Sequence, residues 1–198
     1  MISINSKNWL LLAALIGLFL TPSASYAIDT SIEASITTRL AVSAIKGNDM
    51  NFGLIEYDVA HSGDVLLGTD GSVQLSSASG LNISGGSATA ADISFSGDTN
   101  STIEISCETG GVLSASNGDT LTLSNVEFAL DSGVSAGAGT ACTGLGTASS
   151  TIDLSANPTP TMFFGATVNI ASNAISTSSN FSTTQAGGDQ VTIRVVYQ

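Results

Sequence analysis

His61, Ser62 and Asp64 are the residues whose types first suggest catalysis, because serine, histidine and aspartate together form the nucleophilic machinery of many hydrolases. That machinery is assembled in space from separate elements, whereas these three residues lie in one short turn-forming stretch. The chain also lacks the Gly-x-Ser-x-Gly elbow, the phosphate-binding loop, the His-Glu-x-x-His motif and the dinucleotide fingerprint. We therefore predict that the protein is not an enzyme.

Two oxygen-rich stretches, Asp70-Gly71 and Asp98-Thr99-Asn100, could offer ligands to a calcium ion. Neither has the ligand spacing of the EF-hand loop, and the turn preferences of Asp, Asn and Gly explain both. We predict no metal site and no cofactor.

Residues 1–27 have the parts of a secretory signal peptide: Lys7, the apolar run Trp9–Leu20, and the small-x-small cleavage site Ser25-Tyr26-Ala27. A membrane anchor is the alternative, but it needs roughly 20 apolar residues. The run here is shorter and ends at Thr21-Pro22. We predict cleavage before Ile28, no membrane insertion afterwards, and a location in the periplasm, on the cell surface in a fimbrium, or outside the cell.

The mature chain is strongly acidic. The whole chain carries 16 acidic and 4 basic residues, and cleavage removes one of the basic ones, Lys7, which changes the formal net charge from −12 to −13. Such a chain repels phosphate backbones and anionic lipid surfaces. Nucleic acid is therefore not an expected partner.

Cys107 and Cys142 are the two cysteines of the chain. In an exported protein a disulfide is the default expectation. The alternative is a metal site, but two thiols and one histidine cannot fill a tetrahedral zinc shell. We predict a structural disulfide that holds a Gly/Ala/Ser/Thr-rich surface loop at residues 131–150.

From Ile28 to Ala44 the even positions are mostly apolar and the odd positions mostly polar, which is typical of a β-strand with one buried face. Seventeen extended residues span about 55 Å, whereas a compact domain of this size is about 40 Å across. The segment must therefore bend across its own domain, at about Thr37-Thr38, or project and complete a neighbour. Composition and spacing leave both alternatives open.

Many short alternating segments separated by turn signals predict an all-β protein, an antiparallel β-sandwich in preference to a closed barrel. We expect a hairpin at Asp70-Gly71, a bulge at Gly165, and a second hairpin over 92–107 that turns Ile93, Phe95, Ile103 and Ile105 inward. In the last strand Val191, Ile193, Val195 and Tyr197 share one face. The predicted domains are a cleaved signal peptide (1–27), an N-terminal strand (28–45) and a sandwich (46–198).

Several short motifs carry a resemblance to a known family. They are Met50-Asn51-Phe52-Gly53, Gly63-Asp64-Val65-Leu66-Leu67, Asp70-Gly71 and the final strand Val191–Tyr197. In order and spacing they resemble a family of secreted bacterial domains of unknown function with a Leu/Met-x-Phe-Gly start and a Val-x-Val-x-x-Tyr-like end. The resemblance covers about residues 35–198.

That family is similar in turn to fimbrial subunits of the chaperone–usher kind. The resemblance implies an incomplete immunoglobulin-like, pilin-like sandwich whose missing strand comes from the next subunit. Here the donor residues would be Ile28, Thr30, Ile32, Ala34 and Ile36, and Val191, Ile193, Val195 and Tyr197 would form the closing strand that a periplasmic chaperone pairs with. One departure is that the pilin disulfide ties the first strand to the second, whereas Cys107 and Cys142 lie mid-chain.

Two functions follow as hypotheses. The first is a secreted structural subunit that associates with itself or with other fimbrial subunits by β-strand complementation, with a chaperone and usher as assembly partners. The second is a self-complete adhesin or binding module that engages a ligand through its loops.

Overall fold

The computed structural model describes residues 35–36, 40–76 and 80–198. The chain divides into two units, Met1–Thr38 and Arg39–Gln198. The predicted signal peptide lies outside the described residues, as do Ile28, Thr30, Ile32 and Ala34 of the predicted donor segment. The first unit contributes only Ser35 and Ile36 to the description, so the architecture below is that of the second unit.

In the described ranges the chain forms β-strands and turns without a helix, which confirms the all-β prediction. Within those ranges no helix is therefore long or apolar enough to span a membrane. The strands are β1 (Ser43–Lys46), β2 (Leu54–Tyr57), β3 (Gly63–Leu67), β4 (Val73–Ser76), β5 (Leu81–Gly85), β6 (Ala91–Ser96), β7 (Thr102–Cys107), β8 (Gly111–Ala115), β9 (Thr120–Leu130), β10 (Thr140–Ala141), β11 (Ser150–Asp153), β12 (Thr161–Ile170), β13 (Phe181–Ser182) and β14 (Ile193–Tyr197).

Three antiparallel sheets are built from these strands. The largest has the order β1-β6-β12-β9-β8-β13, with β10 paired to β9, β3 to β12, and β4 to β3. A second sheet has the order β11-β7-β14, and β2 pairs with β5 as a separate ribbon. Some neighbouring strands follow one another in the chain, such as β3 with β4 and β8 with β9, whereas others, such as β12 with β3 and β14 with β7, are far apart in sequence.

One buried cluster joins the large sheet to the three-stranded sheet. Phe95 and Phe164 come from the large sheet, Ile103 and Ile105 from β7, and each is almost completely buried. Alternating side chains of both sheets thus share a single apolar interior, which is the arrangement that a sandwich requires.

Two local predictions are confirmed by the strand pairing. β3 and β4 form a hairpin around Asp70-Gly71, and Gly71 has the positive φ angle, 80°, that favours glycine in such a turn. The register between β12 and β9 shifts between Gly165 and Thr167, at the predicted bulge. An added Cβ at Gly165 would lie 2.2 Å from the carbonyl oxygen of Leu67, so close strand approach also requires glycine there.

The predicted hairpin over 92–107 is wrong. β6 pairs with β1 and β12 in the large sheet, whereas β7 pairs with β11 and β14 in the other sheet. The turn at Asp98 carries the chain from one sheet to the other, and Tyr197 Oη accepts a hydrogen bond from Asp98 N at 2.8 Å. Because both strands face the same interior, alternation correctly placed Phe95, Ile103 and Ile105 in the core but could not identify their partners.

The end of the predicted N-terminal strand pairs within its own chain. Ser43, Ala44 and Ile45 belong to β1 and lie opposite Ser96, Phe95 and Ser94 of β6. Tyr197 Oη donates to the carbonyl oxygen of Leu40 at 2.7 Å, which holds the preceding residues as well. Residues 40–45 are therefore part of the domain, and a segment able to leave it must lie before them.

The predicted disulfide is confirmed, because Cys107 and Cys142 are bonded with their Cα atoms 5.3 Å apart. Cys107 ends β7, and Cys142 follows β10 of the large sheet, so the bond joins the two sheets covalently. The loop before Cys142 is held a second way: Glu127, only 8% exposed, accepts hydrogen bonds from Gly137 N and Gly139 N at 2.9 and 3.0 Å.

Replacing both cysteines by alanine should lower the free energy of unfolding by about 4 kcal/mol, because the bond closes a loop with a sequence separation of 35 residues in the unfolded chain. Guanidinium titration of the mature chain measures the loss. A control variant with Ser149, which hydrogen-bonds Thr143 N beside the bond, changed to alanine should lose far less. An unchanged unfolding midpoint in the cysteine variant would contradict this.

Candidate functional site

A groove with a volume of about 1120 Å³ lies on the surface of the domain. Its lining includes Val191, Ile193 of β14 and the segment from Met50 through β2. Among the described residues β14 pairs only with β7, and β2 pairs only with β5. The groove is therefore bordered by two strands that each have one strand partner.

The inner surface of the groove is apolar. Its aliphatic and aromatic residues come mainly from β6, β8, β9 and β12 of the large sheet, so the groove opens toward the buried core. They are Val65, Ala91, Ile93, Leu113, Leu121, Leu123, Phe164, Val168 and Ile170. Such a surface fits apolar side chains better than a polar small molecule.

The main-chain direction of β14 follows from its register with β7. Glu108 N donates to Thr192 O, and Gln198 N donates to Thr102 O, both at 3.0 Å. Since antiparallel strands exchange hydrogen bonds at every second residue, the even-numbered residues of β14 bond to β7. The N–H and C=O groups of Ile193 and Val195 therefore point to the opposite edge of β14, which borders the groove at Ile193.

A polar segment, residues 176–184, forms another wall. Asp119 accepts hydrogen bonds from Ser176 N at 2.7 Å and from Ser176 Oγ at 2.8 Å. Asn117 Nδ2 reaches Asp119 at 2.8 Å and Thr177 Oγ1 at 3.0 Å. The far end of the wall is held by β13, whose Phe181 lies opposite Ala115 of β8. The turn between β8 and β9 thus holds one end of the wall, and the last residues of β8 hold the other.

These hydrogen bonds change the acidity of Asp119. Donation from the Ser176 backbone and then from its hydroxyl stabilises the carboxylate, so the pKa of Asp119 lies below the ordinary value of 3.8. Because the pKa of Asp119 is lower in the folded state than in the unfolded state, its hydrogen bonds stabilise the wall fully at every pH above the unfolded-state pKa. The stabilisation is lost as the pH falls through the folded-state pKa.

The structure places the predicted closing strand at this groove. Val191 and Ile193 line it, while Val195 and Tyr197 pack on the core farther along β14. Of the predicted donor residues, Ile28, Thr30, Ile32 and Ala34 lie outside the described residues, and the side chain of Ile36 is exposed. Their role as a donor stays a prediction.

The residues first considered for catalysis are not brought together. His61 Nδ1 lies 3.0 Å from the Asp58 carboxylate, whereas Asp64 is hydrogen-bonded to Asn169 and Ser76. Each interaction fixes a local turn or strand pair. We find no arrangement of a base beside a nucleophile among these residues.

Sequence reasoning missed two walls of the groove, residues 50–57 and residues 176–184. Phe52 belongs to the Met50-Asn51-Phe52-Gly53 motif, but nothing in residues 50–57 indicates that they border an opening. The sequence of the wall from Ser176 to Thr184 is typical of a polar loop, and Phe181 is its one large apolar residue. The opening exists only because strands distant in sequence leave a gap, which local patterns do not record.

Changing Asp119 to alanine should release the wall, so amides of residues 173–180 should exchange with deuterium faster at neutral pH. In the unaltered protein the Ser176 amide resonance should titrate with a midpoint below 3.8. Asp153 is the matched control, because its pKa is also lowered, by hydrogen bonds from Ser155. Its alanine variant should leave the exchange of 173–180 unchanged, and equal exchange in both variants would show that Asp119 does not hold the wall.

Comparison with known proteins identifies the domain by its family. The family model described as a domain of unknown function, DUF4402, matches residues 40–197. No curated protein and no solved structure matches the chain. The matched range covers the groove, the disulfide and the fourteen strands of the described residues, and the chain therefore belongs to the DUF4402 family of domains of unknown function.

Proposed function

We propose that the protein is an exported structural subunit of the cell surface that assembles by β-strand complementation. One copy would accept residues 28–36 of the next copy into the groove beside β14. The observation that carries this proposal is the coincidence of an apolar groove with an available strand edge. Main-chain groups at such an edge pair with an added strand, and the groove takes its alternate side chains.

The N-terminal segment has the pattern that this groove requires. Ile28, Ile32 and Ile36 alternate with the smaller Thr30 and Ala34 on one face of an extended strand. Each isoleucine transferred from water into the groove would contribute roughly 1.5–3 kcal/mol. Since residues 40–45 are held in their own domain, the segment before them is the part able to reach a neighbour.

The contact joins unlike surfaces, the N-terminal segment of one copy and the groove of another. Such head-to-tail contacts do not close on themselves unless the geometry makes a ring, so they generate filaments. A fimbrium is the kind of filament proposed here, and a periplasmic chaperone and usher are the proposed assembly partners. The signal-peptide pattern and the disulfide support an exported location.

The test compares three forms of the mature chain. Deleting residues 28–36 should abolish polymers, measured by sedimentation, while the melting temperature of the monomer stays nearly unchanged. Ile193→Thr should weaken assembly strongly, because it places a hydroxyl in the apolar groove. Val196→Thr is the matched control on the exposed face of the same strand and should assemble normally.

Two results would contradict the proposal. If the deletion collapses the melting temperature, residues 28–36 are a strand of their own domain. If Ile193→Thr and the deletion variant both polymerise like the unaltered chain, the groove does not mediate assembly.

A further inference from the structure

Arg194 occupies a distinctive position on β14. It points away from the core on the exposed face of the strand that borders the groove. Ser106 lies directly opposite it on β7, with Glu104 and Glu108 one step away on either side. Glu108 Oε2 is already engaged, because it accepts a hydrogen bond from Thr192 N at 2.7 Å.

Arg194 also lacks an ion-pair partner within the described ranges, although the chain is strongly acidic. The lysine and arginine side chains described there are those of Lys46 and Arg194. Lys46 Nζ lies 2.6 Å from the Asp49 carboxylate, whereas Arg194 forms no such pair. A cation is therefore exposed next to an available strand edge.

The register of β14 determines what an incoming strand would place beside this cation. All described strand pairs are antiparallel, so we consider an antiparallel addition. Incoming residues opposite Ile193 and Val195 would exchange hydrogen bonds with them and direct their side chains to the core-facing side of β14, which borders the groove at Ile193. The residue between those two would lie opposite Arg194 in a non-hydrogen-bonded pair, where cross-strand side chains approach most closely.

In the segment 28–36, groove-facing residues are the even-numbered ones, so an odd-numbered residue would lie opposite Arg194. The odd positions read Asp29, Ser31, Glu33 and Ser35, in which carboxylates alternate with hydroxyls. A register slip of two residues keeps the apolar face in the groove but replaces a carboxylate by a serine beside Arg194. Apolar burial alone would discriminate poorly between such registers.

We infer that Glu33 of one copy pairs with Arg194 of the next, and that this pair sets the register of strand addition; the inference rests on the proposed function. Glu33 lies in the middle of the segment, so this register puts Ile32 and Ala34 opposite β14 and leaves apolar residues on both sides of them. With Asp29 opposite Arg194, most of the apolar face would extend past one end of β14.

The Glu33–Arg194 ion pair should change the specificity and the rate of assembly more than its affinity. An exposed cross-strand ion pair changes an equilibrium by up to about fivefold, and charges at the rim of an interface act mainly on association. Copies with a net charge of −13 also repel one another. Attraction between Glu33 and Arg194 would oppose that repulsion where the incoming strand meets β14.

The experiment is a charge-exchange cycle in the mature chain, with the initial rate of assembly followed by light scattering at about 20 mM salt, where screening is weak. Arg194→Glu and Glu33→Arg should each slow assembly by about fivefold or more, and the double variant should recover the original rate. Glu33→Arg is diagnostic, because it lowers the net negative charge, so long-range repulsion alone would make assembly faster. Asp29→Arg, with the same charge change, is the matched control and should show no coupling to Arg194→Glu.

The outcomes separate the register from the function. If the unaltered chain assembles, Ile193→Thr does not, and Glu33→Arg is as fast as the unaltered chain, the ion pair is overturned while strand complementation stands. Coupling of Arg194 to Asp29 instead of Glu33 would overturn the assigned register. If the unaltered chain does not assemble, or if Ile193→Thr has no effect, strand complementation fails and the inference fails with it.

Discussion

The hydrogen-bonding capacity of β14 is the constraint on which the rest of the structure depends. Main-chain N–H and C=O groups that leave water must find partners, so each edge of a strand is either paired or open to water. β7 satisfies one side of β14 at its even-numbered residues. On the other side Ile193 and Val195 direct their main-chain groups toward the groove, and the fold around them keeps that edge in place.

The position of β14 is secured through its partner strand. β7 is the central strand of its sheet, with Ile103 and Ile105 fully buried, and it ends at Cys107. The disulfide to Cys142 ties that end to the large sheet, where Cys142 N also donates to Val126 O at 2.8 Å. Burial and a covalent bond therefore fix β7, and β7 in turn fixes the orientation of β14 relative to the groove.

Local sequence signals predicted the features that depend on a few adjacent residues. Asp70-Gly71 specified its hairpin because the turn needs a positive φ, and Gly165 marked the bulge because no side chain fits against Leu67. Alternation placed Phe95, Ile103 and Ile105 in the core. Alternation did not predict the strand partners of β6 and β7. The same residues are buried whether the two strands lie in opposite sheets or form one hairpin, so the two arrangements have the same sequence pattern. The groove was unpredictable for a related reason: its walls at residues 50–57 and 176–184 come near β14 only through the three-dimensional arrangement of the sheets.

The groove has a consequence for how such a protein could be blocked. A strand edge binds an extended main chain, and the adjoining apolar surface binds alternate aliphatic side chains. Neither interaction depends on which molecule supplies the extended peptide. If copies join as proposed, a short synthetic peptide with the spacing of Ile28, Ile32 and Ile36 would occupy the same opening as a decoy. Because the peptide carries no domain behind it, each one bound would cap a growing end, and sub-stoichiometric amounts would shorten filaments without unfolding any subunit.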